Sequence, residues 1–320
     1  MLDDDEQWLG LPSPVLAVGP IVVLGLTALV LYVTWPFGGL DDMSEASTLE
    51  VLAVLAVIGA IAGIVPVVIG MLWYPYIKAL DVRFIHAFVA LGAGVLAFIA
   101  VEMTDELVGH SAGVSATDLG GFATVDGVIV AAIVGVLGVF GTLGVMYAIS
   151  RWRVSAAVGS QKTGLQIAYI VALALGLHSI GEGLAIGVNL INDEATLVML
   201  LVIGFVIHNV LEGLTVVAAL ARDERVPRLY HFGLVGVVAG GPVILGGWIG
   251  SLGEAPLLAV IFLAIAIGAI LQALLEMIAL VRIDAENLFT PSITGMFLAG
   301  FVLMFVLESL LADGWLVGSY

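Results

Sequence analysis

Long apolar runs separated by short polar turns fill the chain between residues 15 and 312. Several runs reach eighteen or more residues with few charges, long enough for a helix to cross the hydrocarbon core of a bilayer. A membrane β-barrel would instead show ten-residue alternation of apolar and polar positions, and the sequence shows none. The pattern predicts an all-α polytopic membrane protein with nine spans. They fall near 15–35, 50–77, 85–104, 127–149, 164–191, 197–220, 231–252, 256–281 and 292–312. Residues 1–48 read as an N-terminal tail and an accessory helix, and 49–320 as an eight-helix core.

The polar turns are not alike. Lys78 and Arg83, then Arg151, Arg153 and Lys162, then Arg222, Arg225 and Arg228, and finally Arg282 account for every lysine and arginine. With nine spans, all nine cations fall in alternate turns, on one side of the membrane. The positive-inside rule makes that side cytoplasmic, which puts the N-terminus inside and the C-terminus outside a plasma-membrane protein.

Composition agrees with this class: 62% of residues are hydrophobic and the mean hydropathy is +1.21. Cysteine is absent, so neither disulfides nor thiolate metal ligands exist. Net charge is −17, with 26 acidic residues against nine basic ones. So acidic a surface keeps a protein solvated through self-repulsion, a lever used by halophiles, and a high-salt host is the expectation, the alternative being ordinary acidic loops, some of which gather cations. No basic patch exists for nucleic acid. The run Asp3-Asp4-Asp5-Glu6 lacks the positive n-region of a cleaved signal peptide.

Several spans carry punctuation of their own. Pro66 interrupts the second and frees a backbone carbonyl, which reads as a bend. Trp73-Tyr74-Pro75-Tyr76 beside Lys78 reads as an interfacial belt. The third span ends at Glu102-Met103-Thr104-Asp105-Glu106, where Glu102, Asp105 and Glu106 read either as a solvated helix end or as an acidic vestibule that attracts cations. The stretch that follows reads as an unstructured connection, with His110 an ordinary surface residue. In the fourth span Gly135, Gly138, Gly141 and Gly144 form a small-residue stripe suited to close helix packing. The stretch of the seventh from His231 to Gly253 holds eight glycines and Pro242, so it either packs very tightly or slides against a neighbour; His231 reads as an interfacial residue. Gln272 and Glu276, four apart in the eighth span, read as an exit route or as a polar contact between helices.

Against this background two phrases stand out: His178-Ser179-Ile180-Gly181-Glu182-Gly183-Leu184 and His208-Asn209-Val210-Leu211-Glu212-Gly213-Leu214. In each, His and Glu are four residues apart and share one helical face. The short turn Asn192-Asp193-Glu194-Ala195 makes their helices antiparallel neighbours, and counting from the span ends puts both phrases near the bilayer midplane. Ionisable groups that deep cost on the order of a few kcal/mol each, and meeting one another offsets the cost. Two His–Glu ion pairs would explain the charges, but not the hydrogen-bonding residue after each His or the shared Glu-Gly-Leu sequel. A divalent metal explains more. Imidazole and carboxylate suit Zn, Fe, Mn and Co, and four such ligands complete a tetrahedral shell. Ser179 and Asn209 could help hold a second ion, with the two glutamates bridging.

The phrases resemble those of the ZIP (Zrt/Irt-like) divalent metal transporters, whose fourth and fifth core helices carry His-[Asn/Ser/Asp]-x-x-Glu-Gly motifs. The resemblance implies a primary metal site of His178, Glu182, His208 and Glu212. It implies an adjoining second site where Ser179 and Asn209 share the same glutamates. It also implies an elevator-type carrier, core helices one, four, five and six moving against the other four, usually as a homodimer. The chain departs from the family at Gly181 and Leu211, where many members have Pro, and at Gly241 before Pro242, where some have Glu. It also lacks the histidine-rich cytoplasmic loop.

The expected function is therefore carriage of Zn, Fe, Mn, Co or Cd as substrate, inward across the bilayer, with no catalytic cofactor and no enzyme activity. The alternative is a membrane-embedded metalloenzyme, a hydrolase built on the same His/Glu site. That reading lacks a separate acid or nucleophile in the sequence. A cation channel, showing flux without saturation, is a third possibility.

Overall fold

The computed structural model describes residues 13–34, 40, 43–114, 127–156, 163–223, 226–253, 256–282 and 288–312. Among these residues there are helices and turns but no strand, and the chain is an all-α polytopic membrane protein. The N-terminal acidic run, Lys162 and Arg225 lie outside the described residues, as do the side chains of Arg151, Arg153 and Glu308.

Helix α1 spans Ser13–Thr34. The second apolar run is broken into α2 (Thr48–Gly59), a π-helical turn (Ala60–Ile64), α3 (Val65–Met71) and α4 (Tyr74–Lys78). Then come α5 (Val82–Gly113), α6 (Gly127–Ala156), α7 (Gly164–Ile191) and α8 (Ala195–Ala221). The glycine-rich run divides at Gly241 into α9 (Leu229–Gly240) and α10 (Pro242–Gly250), and α11 (Pro256–Arg282) and α12 (Pro291–Ala312) follow. Among the described residues seven helical stretches are long and apolar enough to cross a membrane; α1 and α12 hold shorter apolar stretches, Pro14–Thr27 and Pro291–Val306.

Prolines account for both broken runs. A proline lacks the N–H that closes the helical ladder and crowds the turn before it. Pro66 is the second residue of α3, one place after the Val65 that follows the π turn, and Pro242 opens α10. The third apolar run departs from its expected end at 104, because α5 continues nine residues further, to Gly113. Met103 and Ser111 are buried and Leu107 is half-buried, an i, i+4, i+8 stripe that keeps the helix packed past the acidic residues. Thr104 and Ser111 hydroxyls donate to the carbonyls of Ala100 and Leu107, each at 2.7 Å, so neither competes with the ladder. Asp105 and Glu106 are thus on an exposed helix rather than at a helix end, and His110 is exposed there too.

The helices form two mutually packed sets. The α2–α4 run, α7, α8 and the α9–α10 run make one; α5, α6, α11 and α12 make the other. The sets meet where α11 lies on α7 and where α5 and α12 lie on α8. Trp73, read as an interfacial anchor, donates its indole N–H to Ala17 O at 2.9 Å and so holds α1 against the first set.

Hydrogen bonds fix which turns share an end of the bundle. Lys78 donates its ammonium to the carbonyls of Ala221 and Asp223, and the Asp223 carboxylate accepts the N–H groups of Gly164 and Leu165. The α4–α5 turn, the start of α7 and the end of α8 therefore lie together. At the opposite end Ser44 donates its N–H (3.0 Å) and hydroxyl (2.6 Å) to Asp193 in the α7–α8 turn. Those two donors hold the Asp193 carboxyl below the usual aspartate range.

Glycines set how closely the helices approach. The seventh run packs tightly: a Cβ on Gly246 or Gly250 would overlap the carbonyl of Ile180 or Leu184 on α7, and one on Gly240 would overlap the backbone of Gly63. In α6 only half the stripe is used. A Cβ on Gly138 would meet Ala264 at 2.7 Å and one on Gly135 would meet Leu107 at 3.2 Å, whereas among the described residues Gly141 and Gly144 have nothing within 4 Å. Spacing by three rotates each step by about 60° around a helix of 3.6 residues per turn, so four such glycines cannot share one face.

Candidate metal centre

The turn between α7 and α8 is three residues long, Asn192 to Glu194, with Asp193 in the left-handed region at φ 58°, a conformation aspartate tolerates well. This tight turn lays α8 antiparallel against α7 and brings the two phrases to the same depth. On α7, His178 Nε2 lies 3.2 Å from Glu182 Oε1, one turn later on the same face. The same nitrogen lies 3.8 Å from Glu212 Oε1, across on α8. Among the described residues these three side chains place one ligand atom each within 4.8 Å of one another, and all three are buried. His208 is on α8, one turn before Glu212, where it shares the Glu212 face; its side chain lies outside the described residues.

The surroundings orient the cluster. His178 Nδ1 faces the Met103 thioether of α5 at 3.0 Å. With the proton on Nδ1, Nε2 turns a lone pair into the space that holds the two carboxylate oxygens. Three lone pairs converging in an apolar interior call for protons or a cation between them. Glu182 is fixed on its other side, where Asn209 Nδ2 donates to Oε2 at 3.3 Å. The donor set of one imidazole and two carboxylates fits a borderline or hard divalent ion and excludes nothing among Zn, Fe, Mn and Co.

Ser179 and Asn209 both lie beside the cluster, fully buried. Asn209 Nδ2 also donates to Ala62 O at 2.9 Å, and Ser179 Oγ lies 2.9 Å from Leu175 O and 3.1 Å from Ala239 O. Helices α7 and α8 run unbroken through Gly181 and Leu211, so the distortions at this depth are in the neighbouring helices, at Pro66 and Pro242. Each phrase is seated on one broken helix in the same way. A Cβ on Gly183 would overlap Val243 O, one residue after Pro242, and a Cβ on Gly213 would overlap Val67 O, one residue after Pro66.

The other residues singled out by sequence are separate from the cluster. Glu102 is half-buried on α5, next to Met103, with Asp105 and Glu106 exposed beyond it. Gln272 and Glu276 are buried on α11 and bonded to each other, Nε2 to Oε1, at 2.8 Å. Leu263 of α11 lies near Gly181, so Gln272, nine residues on, stands roughly 13 Å from that level along the axis. His231 hydrogen-bonds the Tyr169 hydroxyl through Nδ1 at 2.9 Å and stacks on Tyr230. Sequence reasoning passed over Met103 and the carbonyls of Ala62 and Ala239. Nothing distinguishes Met103 from the other eight methionines, but Pro66 and Pro242 mark where carbonyls are released.

Fold and site together define a multi-pass α-helical membrane protein with a buried His/Glu cluster between two antiparallel helices. No protein-family model matches the chain, and no curated protein matches it.

Proposed function

We propose that the chain is a carrier for divalent transition-metal ions, related in arrangement to the ZIP transporters, with His178, Glu182, His208 and Glu212 as the cation site. One observation carries this reading. Imidazole and carboxylate groups from two adjoining helices converge, buried, at the middle of the apolar spans. Burying two carboxylates beside each other costs several kcal/mol unless something positive sits between them, and a transported cation supplies that charge. A shell without thiolate suits a carrier, which must release what it binds.

All nine apolar runs cross the bilayer, seven as full-length helices and α1 and α12 as the outermost two. The end that gathers Lys78, Arg222 and the start of α7 is cytoplasmic, which puts the N-terminus inside and the C-terminus outside the plasma membrane. The set formed by α2–α4, α7, α8, α9 and α10 carries the site and moves against α5, α6, α11 and α12 in an elevator-type cycle. The protein works as a homodimer. Glu102, Asp105 and Glu106 gather cations at the outer side, and Gln272 and Glu276 line the way out.

A competition series in sealed proteoliposomes tests the assignment. Zinc uptake is expected to saturate and to fall when Fe(II), Mn, Co or Cd is added. Uptake proportional to concentration would indicate a channel instead, and no uptake together with hydrolysis in detergent would favour a membrane metalloenzyme.

A further inference from the structure

Both polar residues that follow the motif histidines are bonded to a carbonyl in a proline-broken helix. Ala62 stands four residues before Pro66, so its carbonyl loses the partner that residue 66 would supply in an ordinary ladder. Asn209 Nδ2 donates to that carbonyl at 2.9 Å. Ala239 stands three residues before Pro242, beside the break at Gly241, and Ser179 Oγ reaches its carbonyl at 3.1 Å. A buried carbonyl without a donor costs about 1–3 kcal/mol. Each pin therefore bonds to the same broken run on which its phrase is seated by glycine: Asn209 and Gly213 on the α2–α3 run, Ser179 and Gly183 on the α9–α10 run.

We propose that Ser179 and Asn209 are positioning residues that pin the proline-broken helices to the site, and that the centre holds one cation per chain rather than two. The chemistry of the neighbours fixes the roles. Asn209 Nδ2 has acceptors on two sides, Ala62 O and Glu182 Oε2, so the position demands a neutral donor. An ionised aspartate would ligate a metal better but could donate to neither. Ser179 has one hydroxyl proton, which lies between Leu175 O and Ala239 O. Through Asn209 the pin also reaches the cation site, because the same amide that holds Ala62 orients Glu182. A shift of the α2–α3 break is thereby transmitted to one ligand of the cluster.

The pinning stands on its own; the count of one cation rests on the carrier reading, and the two are separable in one experiment. Thermal stability of the metal-free protein in detergent is measured for the wild type, Asn209→Ala, Pro66→Ala and the double variant, and bound zinc per chain is counted for each. Asn209→Ala is expected to lower the melting temperature, and adding Pro66→Ala to recover most of that loss, because residue 66 then supplies a backbone N–H near Ala62 O. Asn209→Asp is expected to be destabilised at neutral pH as Asn209→Ala is. Bound zinc is expected to stay at one per chain in the wild type, in Asn209→Ala and in Ser179→Ala. Two zinc ions in the wild type falling to one in Asn209→Ala, or Asn209→Asp holding two, would overturn the single-cation centre. A double variant no more stable than Asn209→Ala would overturn the pinning. A wild type that binds no zinc at all would sink the carrier reading and leave the stability arm to decide the pinning.

Discussion

His178 of α7 and Glu212 of α8 meet across the helix pair, imidazole Nε2 to carboxylate Oε1 at 3.8 Å. This cross-helix approach, rather than the His–Glu spacing within either phrase, separates a shared site from two local ion pairs. On the carrier reading, Glu212 would strengthen cation binding, while its charge beside Glu182 burdens the metal-free protein. Glu212→Gln keeps the shape and removes one of two neighbouring carboxylates. The metal-free variant is expected to melt no lower than the wild type, and to lose the stabilisation by zinc, which for a ligand at a hundredfold its dissociation constant amounts to about 2.7 kcal/mol. Melting curves with and without zinc read both effects.

Asp223 ties the start of α7 to the end of α8 by accepting the N–H groups of Gly164 and Leu165. These belong to the unsatisfied donors of a helix N-terminus. Asp223→Ala is expected to cost about 1–2 kcal/mol, in the range of lost helix caps, and Asp223→Asn markedly less, since an amide oxygen still accepts. Lys78→Met is expected to be destabilising as well, through the carbonyls of Ala221 and Asp223 that its ammonium holds. Denaturant titration in detergent checks the order.

At the other end the Ser44–Asp193 clasp carries a pH dependence. Its two hydrogen bonds lower the Asp193 pKa in the folded protein, so the clasp stabilises fully above the ordinary aspartate value of about 3.9 and is lost as pH falls through the lowered value. Asp193→Asn is therefore expected to melt below the wild type at neutral pH and to converge with it in acid. A difference that instead grew on acidification would contradict the assignment. Asp193→Ala is expected to be worse than Asp193→Asn, because alanine also strains at φ 58°.

The glycines divide by contact. Gly213→Ala would drive a methyl into Val67 O and is expected to cost about 1–3 kcal/mol, the range of overpacked cores. Gly141→Ala, with nothing within 4 Å, is expected to be neutral or slightly stabilising. Melting temperatures of the two variants give the comparison directly.

How far the sequence foretold this arrangement differs from feature to feature. The bounds of α7 agree with expectation residue for residue, because a polar turn flanks each end of an unbroken apolar run. The convergence of His178, Glu182 and Glu212 was legible too, since two facts of chain geometry bear on it: equal depth and a short connecting turn. The length of α5 was not, because what extends it past Glu106 is packing of Met103, Leu107 and Ser111 against other helices. The glycines of α6 misled for a simpler reason: a spacing of three wanders off any single face. Pro66 was visible as a bend, but the donor to the Ala62 carbonyl before it is Asn209, 147 residues from Ala62 on α8, and only the tertiary structure pairs them. Met103 belongs with these, an apolar residue made part of the site by the helix it happens to face.

Zinc uptake by sealed proteoliposomes, measured for the wild type and for Glu182→Gln and Glu212→Gln at matched protein content, tests the central claim most directly. The account predicts saturable uptake by the wild type and none above empty vesicles for either variant, with both variants eluting as folded protein. Uptake by both variants equal to that of the wild type would contradict it.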